Sequence, residues 1–267
     1  MLIMLLGLLL LQQPETMSLL EKPLFAPPLS REERGKREEA LRAARAAFDR
    51  DAASVDLAIA LARAQMALGR VGDSLETVTR ALEGKPDDPR LALERGRGLI
   101  VIRKFELAAR DLRKASATIP EAYCALGVAE YLAAAYPRAR EAFASCDGSG
   151  VSPVFRYLAD WRTGPSAMPR PSLARDPGPD PSAPIRMPGS AARPGPADHA
   201  TLAASYLEAA EDLLQGKPAA ATDLLKRIVE KHRNEWMDPL YIAAEADYAK
   251  LLKAEGKKGK KRSSLEP

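Results

Sequence analysis

Residues 55–88 read VDLAIALARAQMALGRVGDSLETVTRALEGKPDD, and residues 89–122 read PRLALERGRGLIVIRKFELAARDLRKASATIPEA. Superimposed at a period of 34, Ala62 falls on Gly96, Val71 on Phe105, Ser74 on Ala108, Val78 on Leu112, Ala81 on Ala115 and Pro86 on Pro120. A third copy follows after 31 residues, with Gly127, Tyr136, Ala139, Phe143 and Cys146 in the equivalent places. Ala, Leu, Glu and Arg at helical spacing run from Ser30 to about Asp147, which predicts helix throughout. Small residues at Ala62, Gly96 and Gly127 let the second helix of each pair approach the first. Val78, Leu112 and Phe143 are expected to fill the space between pairs, while Pro86 and Pro120 end one helix and set up the next. One such pair cannot bury its apolar face alone, so the pairs must stack.

Going back 34 residues from Ser74, Val78 and Ala81 lands on Ala40, Ala44 and Ala47, in a helix starting near Ser30 that reads as a lone second half of a pair. Beyond the third copy, Ser152-Pro153 opens a short closing helix whose Tyr157, Leu158 and Trp161 cover the open end of the stack. This gives one repeat domain over residues 30–162. Residues 163–197 hold ten prolines among 35 residues with hardly a hydrophobic cluster, and read as an extended, mobile linker. Helical periodicity resumes over residues 198–254. Leu202, Tyr206, Ala209 and Leu213 line the first helix and Gly216 ends it. Ala221, Leu225, Ile228 and Val229 line a second, and Asp238-Pro239 starts a third. The fold class is therefore all-α, a helix-turn-helix solenoid with a Pro-rich linker and a second small helical module that hides its own apolar faces.

The chain opens MLIMLLGLLLL, eleven apolar residues before the first charge at Glu15. That run is too short to span a bilayer, which takes about 20 residues, and fits the apolar segment of an export signal over residues 1–17. Translation from Met17 would instead give a cytoplasmic protein. Arginine outnumbers lysine 26 to 14, a bias that hints at a GC-rich bacterial genome. Net charge is 40 − 36 = +4, and residues 253–267 alone carry six basic and two acidic side chains, also +4. The body is thus neutral, which argues against a nucleic-acid partner for the folded part. The basic tail, residues 255–267, offers at most weak contact with a membrane. Two histidines, His199 and His232, and two cysteines, Cys124 and Cys146, are too few and too scattered for a metal site. No GxGxxG, GxxxxGK[ST] or GxSxG motif occurs, so no cofactor is expected and the chain reads as non-catalytic.

Over residues 55–153 the pattern resembles the tetratricopeptide repeat family, whose 34-residue unit favours small residues at its eighth, twentieth and twenty-seventh positions and Pro at its thirty-second. Ala62, Ser74, Ala81 and Pro86 fit, then Gly96, Ala108, Ala115 and Pro120, then Gly127, Ala139 and Cys146. The family's large fourth-position aromatic survives only as Tyr123, with Ala58 and Ala92 at the other two places. With Gly216 as a fifteenth position, residues 202–235 fit a fourth, divergent repeat.

The resemblance implies a protein–protein interaction scaffold whose inner groove is lined by the second, fifth, ninth and twelfth positions of each first helix. Those positions supply the expected partner contacts Ile59, Arg63, Met66, Leu93, Arg97, Ile100, Val128 and Tyr131, an apolar groove with an arginine ladder suited to a peptide or protein carrying an acidic group. Pairing of the arginines with neighbouring acids such as Asp56 and Glu94 is the alternative. The family's chaperone-tail clamp is not implied, because Ile59, Arg63 and Glu94 depart from it. The same register turns Cys124 toward the groove and Cys146 toward the packed seam, which argues for two unbonded thiols. The reading is an exported scaffold, periplasmic or secreted, with a cytoplasmic adaptor or a docking subunit of an enzyme complex as alternatives.

Overall fold

The helices start and stop where local chemistry tells them to. Ser30 Oγ accepts the Glu33 amide at 3.1 Å, Ser54 Oγ accepts the Leu57 amide at 3.4 Å, and the Asp88 carboxylate accepts the amides of Arg90 and Leu91 ahead of Pro89. The computed structural model describes residues 13–146, 153–164, 168–171 and 196–263. A two-stranded antiparallel hairpin, β1 (Thr16–Met17) and β2 (Pro23–Leu24), precedes the helices. The repeat array follows as α1 (Arg31–Phe48), α2 (Val55–Ala67), α3 (Val71–Gly84), α4 (Pro89–Val101), α5 (Phe105–Ser116), α6 (Ala122–Leu132), α7 (Tyr136–Ala144) and α8 (Pro153–Thr163). The C-terminal helices are α9 (Pro196–Leu214), α10 (Pro218–Lys231) and α11 (Pro239–Ser263), with a 3-10 turn at Arg233–Glu235. The fold is all-α, a stack of antiparallel helix pairs.

Each pair closes on its small residue. A Cβ at Gly96 would stand 2.6 Å from Leu112 Cγ, and one at Gly127 would stand 2.5 Å from the Phe143 ring. Leu112 and Phe143 therefore lie against the glycine inside their own pair, rather than only between pairs as the periodicity suggested. The turn within each pair carries a left-handed residue at the same place: Gly69 (φ 76°), Arg103 (φ 63°), Ala134 (φ 59°) and, in the fourth pair, Gly216 (φ 73°). That recurrence sets α9 and α10 in the register of a fourth repeat. α1 packs on α2 with no fully buried residue; Ala40 is exposed and Ala44 half-buried, as a second helix lacking its first would be.

Three expectations are corrected. The cysteines are bonded, with their Cα atoms 4.8 Å apart. The register had placed Cys146 on the seam face of a helix, but α7 ends at Ala144, and the chain turns there, with the Cys146 amide donating to Phe143 O. The C-terminal helices do not close on themselves: Leu202, Tyr206, Trp236, Leu240 and Tyr241 share one hydrophobic core with Ile100, Val128, Tyr131 and Phe155 of the array. The basic tail continues α11 as helix to Ser263. Residues 1–12 of the export segment and most of the Pro-rich segment lie outside the described residues. Within the latter, Arg170 pairs with Glu211 at 2.8 Å. No helix of the described residues is long and apolar enough to cross a membrane.

Candidate protein-interaction surface

The first helices α2, α4 and α6 present the predicted contacts along one face, where charge is organised in rungs. Arg90 on α4 meets Asp56, one repeat earlier on α2, at 2.7 Å, and also Asp88 at 3.0 Å. One rung further in, Arg63 Nη2 donates to Glu94 Oε1 at 2.5 Å and Arg97 Nη1 donates to the same oxygen at 2.9 Å. Arg63 and Arg97 thus stand side by side, and both pair with Glu94, the acid named as the alternative. Two guanidinium groups share this carboxylate, while Arg90 holds two carboxylates on the neighbouring rung, so the face as a whole is balanced in charge. Arg63 is 51% exposed, whereas Glu94 and Arg97 are 4% and 1% exposed. Arg97 Nε and Nη2 have no hydrogen-bond partner among the described residues. Burial lowers the Arg97 pKa against the opposing pull of Glu94; the hydrogen bond that Arg63 donates to Glu94 raises that of Arg63.

The apolar members are all covered. Ile59, Met66, Leu93, Ile100, Val128 and Tyr131 are buried; Ile59 packs with Val55, Val78 and Leu91, while the rest lie in the main core. What covers the far end is the C-terminal module. Tyr131 and Tyr206 share a hydroxyl hydrogen bond at 2.9 Å, and the Tyr206 hydroxyl donates to Asp247 Oδ2 at 3.1 Å. Arg162, at the end of α8, donates to the same Asp247 oxygen at 2.6 Å and to the Tyr136 hydroxyl at 2.9 Å, with its guanidinium over the rings of Tyr131 and Tyr136. Burial pushes the hydroxyls of Tyr131 and Tyr206 well above their ordinary value. The N-terminal hairpin closes another edge: Leu24 is buried beside Met66, Pro27 and Ala26 crowd Gly69, and the Glu15 carboxylate accepts the Val71 amide at 2.9 Å, at the N-terminus of α3.

A family model described as tetratricopeptide repeat matches residues 32–95, which span α1 to the middle of α4. Residues 32–95 carry the tetratricopeptide repeat pattern. The matched stretch includes the lone helix α1 together with the pair α2–α3 and the first half of α4. Searches of the curated proteins and of the solved structures each found no match. Tetratricopeptide repeats generally mediate protein–protein interaction and are typically non-catalytic. Among the described residues no group of three or more His, Cys, Asp or Glu is placed to hold a metal ion.

Sequence reasoning missed Arg103 and Arg162 as residues that join the array to its C-terminal helices. Only the position of Arg103 carried a signal, since it stands where the other complete turns have Gly69, Ala134 and Gly216. An open cavity of about 320 Å³ lies at the N-terminal end beside α1, lined by Leu41, Arg42, Arg45, Gln65, Arg70 and Asp73 among others.

Proposed function

We propose that the chain is a non-catalytic scaffold, exported to the bacterial envelope, that holds a peptide or protein partner through the inner face of its tetratricopeptide repeats. The observation that carries the partner site is the exposure of Arg63: it converges with Arg97 on Glu94 yet stays 51% exposed, where an acidic group can reach its guanidinium. The other predicted contacts serve a partner only when the covering helices move aside. Arg63→Glu reverses the exposed charge, at the cost of a second carboxylate beside Glu94, and with helicity retained should weaken partner binding by about tenfold or more. Arg80→Glu, on an exposed arginine of α3, is the control for net charge. Equal losses in both would place the partner elsewhere. Arg113 is unsuitable as a control, because it clamps the buried Glu130 together with Arg138.

Export is supported by the Cys124–Cys146 disulfide, a bond that persists in oxidising compartments. The contacts of Glu15 with the amides of Val71 and Gly72 and the pairing of Thr16–Met17 with β2 favour a leader that ends upstream of Glu15 rather than at residue 17. They also disfavour a start at Met17, which would discard both. N-terminal sequencing of protein purified from its host, together with fractionation, tests this. Protein from the cytoplasm that begins at Met1 would overturn the export reading.

A further inference from the structure

The turn between α4 and α5 holds a residue its backbone does not favour. The equivalent residue is glycine at Gly69 and Gly216 and the small Ala134 in the third pair, whereas Arg103 adopts φ 63° with a long side chain. That side chain reaches the C-terminal module: Nε donates to Glu245 Oε2 at 2.9 Å, Nη2 donates to Trp236 O at 3.0 Å, and the guanidinium lies over the Trp236 ring. The second grip is Arg162 on Asp247. Glu245 and Asp247 are two residues apart on α11, so they project about 200° apart around the helix, and the array holds α11 from two opposed sides. These contacts are poorly suited to a permanent core. Two ion pairs are buried where apolar contact would stabilise more, and Glu245 Oε1 and Arg162 Nε have no partner among the described residues.

We propose that this contact is a latch: α11 acts as an intramolecular ligand of the repeat face, and the partner that opens it is a helical segment presenting two carboxylates two residues apart, preceded by an aromatic residue, as in Tyr241, Glu245 and Asp247. This rests on the inner face being the partner surface. Arg103 and Arg162 select the carboxylates, and a competing acidic helix exchanges the same two ion pairs, so these pairs are replaced rather than lost on opening.

The test uses the full chain in a Trp161→Phe background, so that Trp236 alone reports, and a labelled synthetic peptide of residues 237–252 as the probe. Glu245→Gln with Asp247→Asn removes the charges from the internal ligand and keeps both arginines. The expected result is retained helicity, a red-shifted Trp236 emission, and peptide binding about tenfold or more tighter than to the parent chain; adding Arg103→Gly and Arg162→Ala removes that gain. Unchanged emission with no gain in peptide binding overturns the latch. Should the double variant lose its helices, Arg103→Gly alone decides, since glycine suits that turn. Exposure of Trp236 with helicity kept supports the latch. Trp236 still buried, or collapse of the whole fold, overturns it. Arg63→Glu in the opened chain separates the two readings, because loss of peptide or partner contact there speaks to the inner face and leaves the latch untouched.

Discussion

Arg63 and Arg97 sit one repeat apart and donate to a single oxygen, Glu94 Oε1, at 2.5 and 2.9 Å. The arrangement makes Glu94 the residue whose loss matters most on this face. Glu94→Gln would leave Arg97 buried, charged and without the ion pair it makes with Glu94, and should cost about 3 kcal/mol in chemical denaturation. Arg63→Ala removes a half-exposed partner and should cost about 1 kcal/mol or less. Similar losses for the two would mean that the Arg97 site is open to water.

Gly127 faces the ring of Phe143 with no room for a methyl group. Gly127→Ala should destabilise by about 1–3 kcal/mol through overpacking, and Phe143→Leu in the same chain should restore part of the loss, since it removes the atoms that clash. Gly35→Ala is the counterpart. It lies within α1 with nothing near its missing Cβ, and should stabilise by about 0.5–1 kcal/mol. Thermal melts of the three variants check both signs.

The helix pairs were readable because their determinants are local and repeat: the small residues at Ala62, Gly96 and Gly127 and the turn glycine at Gly216 act within one pair, and Pro86 and Pro120 mark the short connections between pairs. The charged rungs of Arg63, Glu94 and Arg97 were readable for the same reason, being one repeat apart. Arg103 and Glu245 are separated by 142 residues, and no periodicity links them. Nor does a helical register extend past the end of its helix, which is why Cys146, two residues beyond α7, was assigned the wrong face. The covering of the inner face by α11 belongs to the same class. A helix that is apolar enough to pack on its neighbours looks alike in sequence whether its remaining face meets water or another domain.

The buried hydroxyls give the latch an alkaline limit. Burial raises the pKa of Tyr131 and Tyr206, and burial followed by the charge of Glu245 raises that of Tyr241 to about 12, all from an ordinary 10.0. A raised folded-state value means that the fold favours the protonated form. The contribution is complete below pH 10 and is lost as pH rises toward 12. Tyrosinate absorbance should therefore show a delayed step coupled to exposure of Trp236. Tyr206→Phe should shrink that step, and an unchanged titration would place the hydroxyls in contact with solvent.

The Cys124–Cys146 bond does more than close a 22-residue span. Arg156 on α8 donates to Phe143 O at 2.6 Å and to Cys146 O at 2.7 Å, so the bond fixes the two carbonyls that anchor α8 to the third pair. α8 in turn presents Arg162 to Asp247. Reduction should lower stability by about 3 kcal/mol, as expected for a loop of this length, and the loss should appear first as faster hydrogen exchange in α8 rather than in α2 or α3. Cys146→Ala should reproduce both effects and make the chain indifferent to reductant. If exchange in α8 is unchanged while overall stability falls, the bond acts on the unfolded chain alone and does not anchor the helix. Alkylation of protein taken directly from its host, before any oxidation in the tube, then tells which state the cell maintains, and so whether the anchored form is the one that meets the partner.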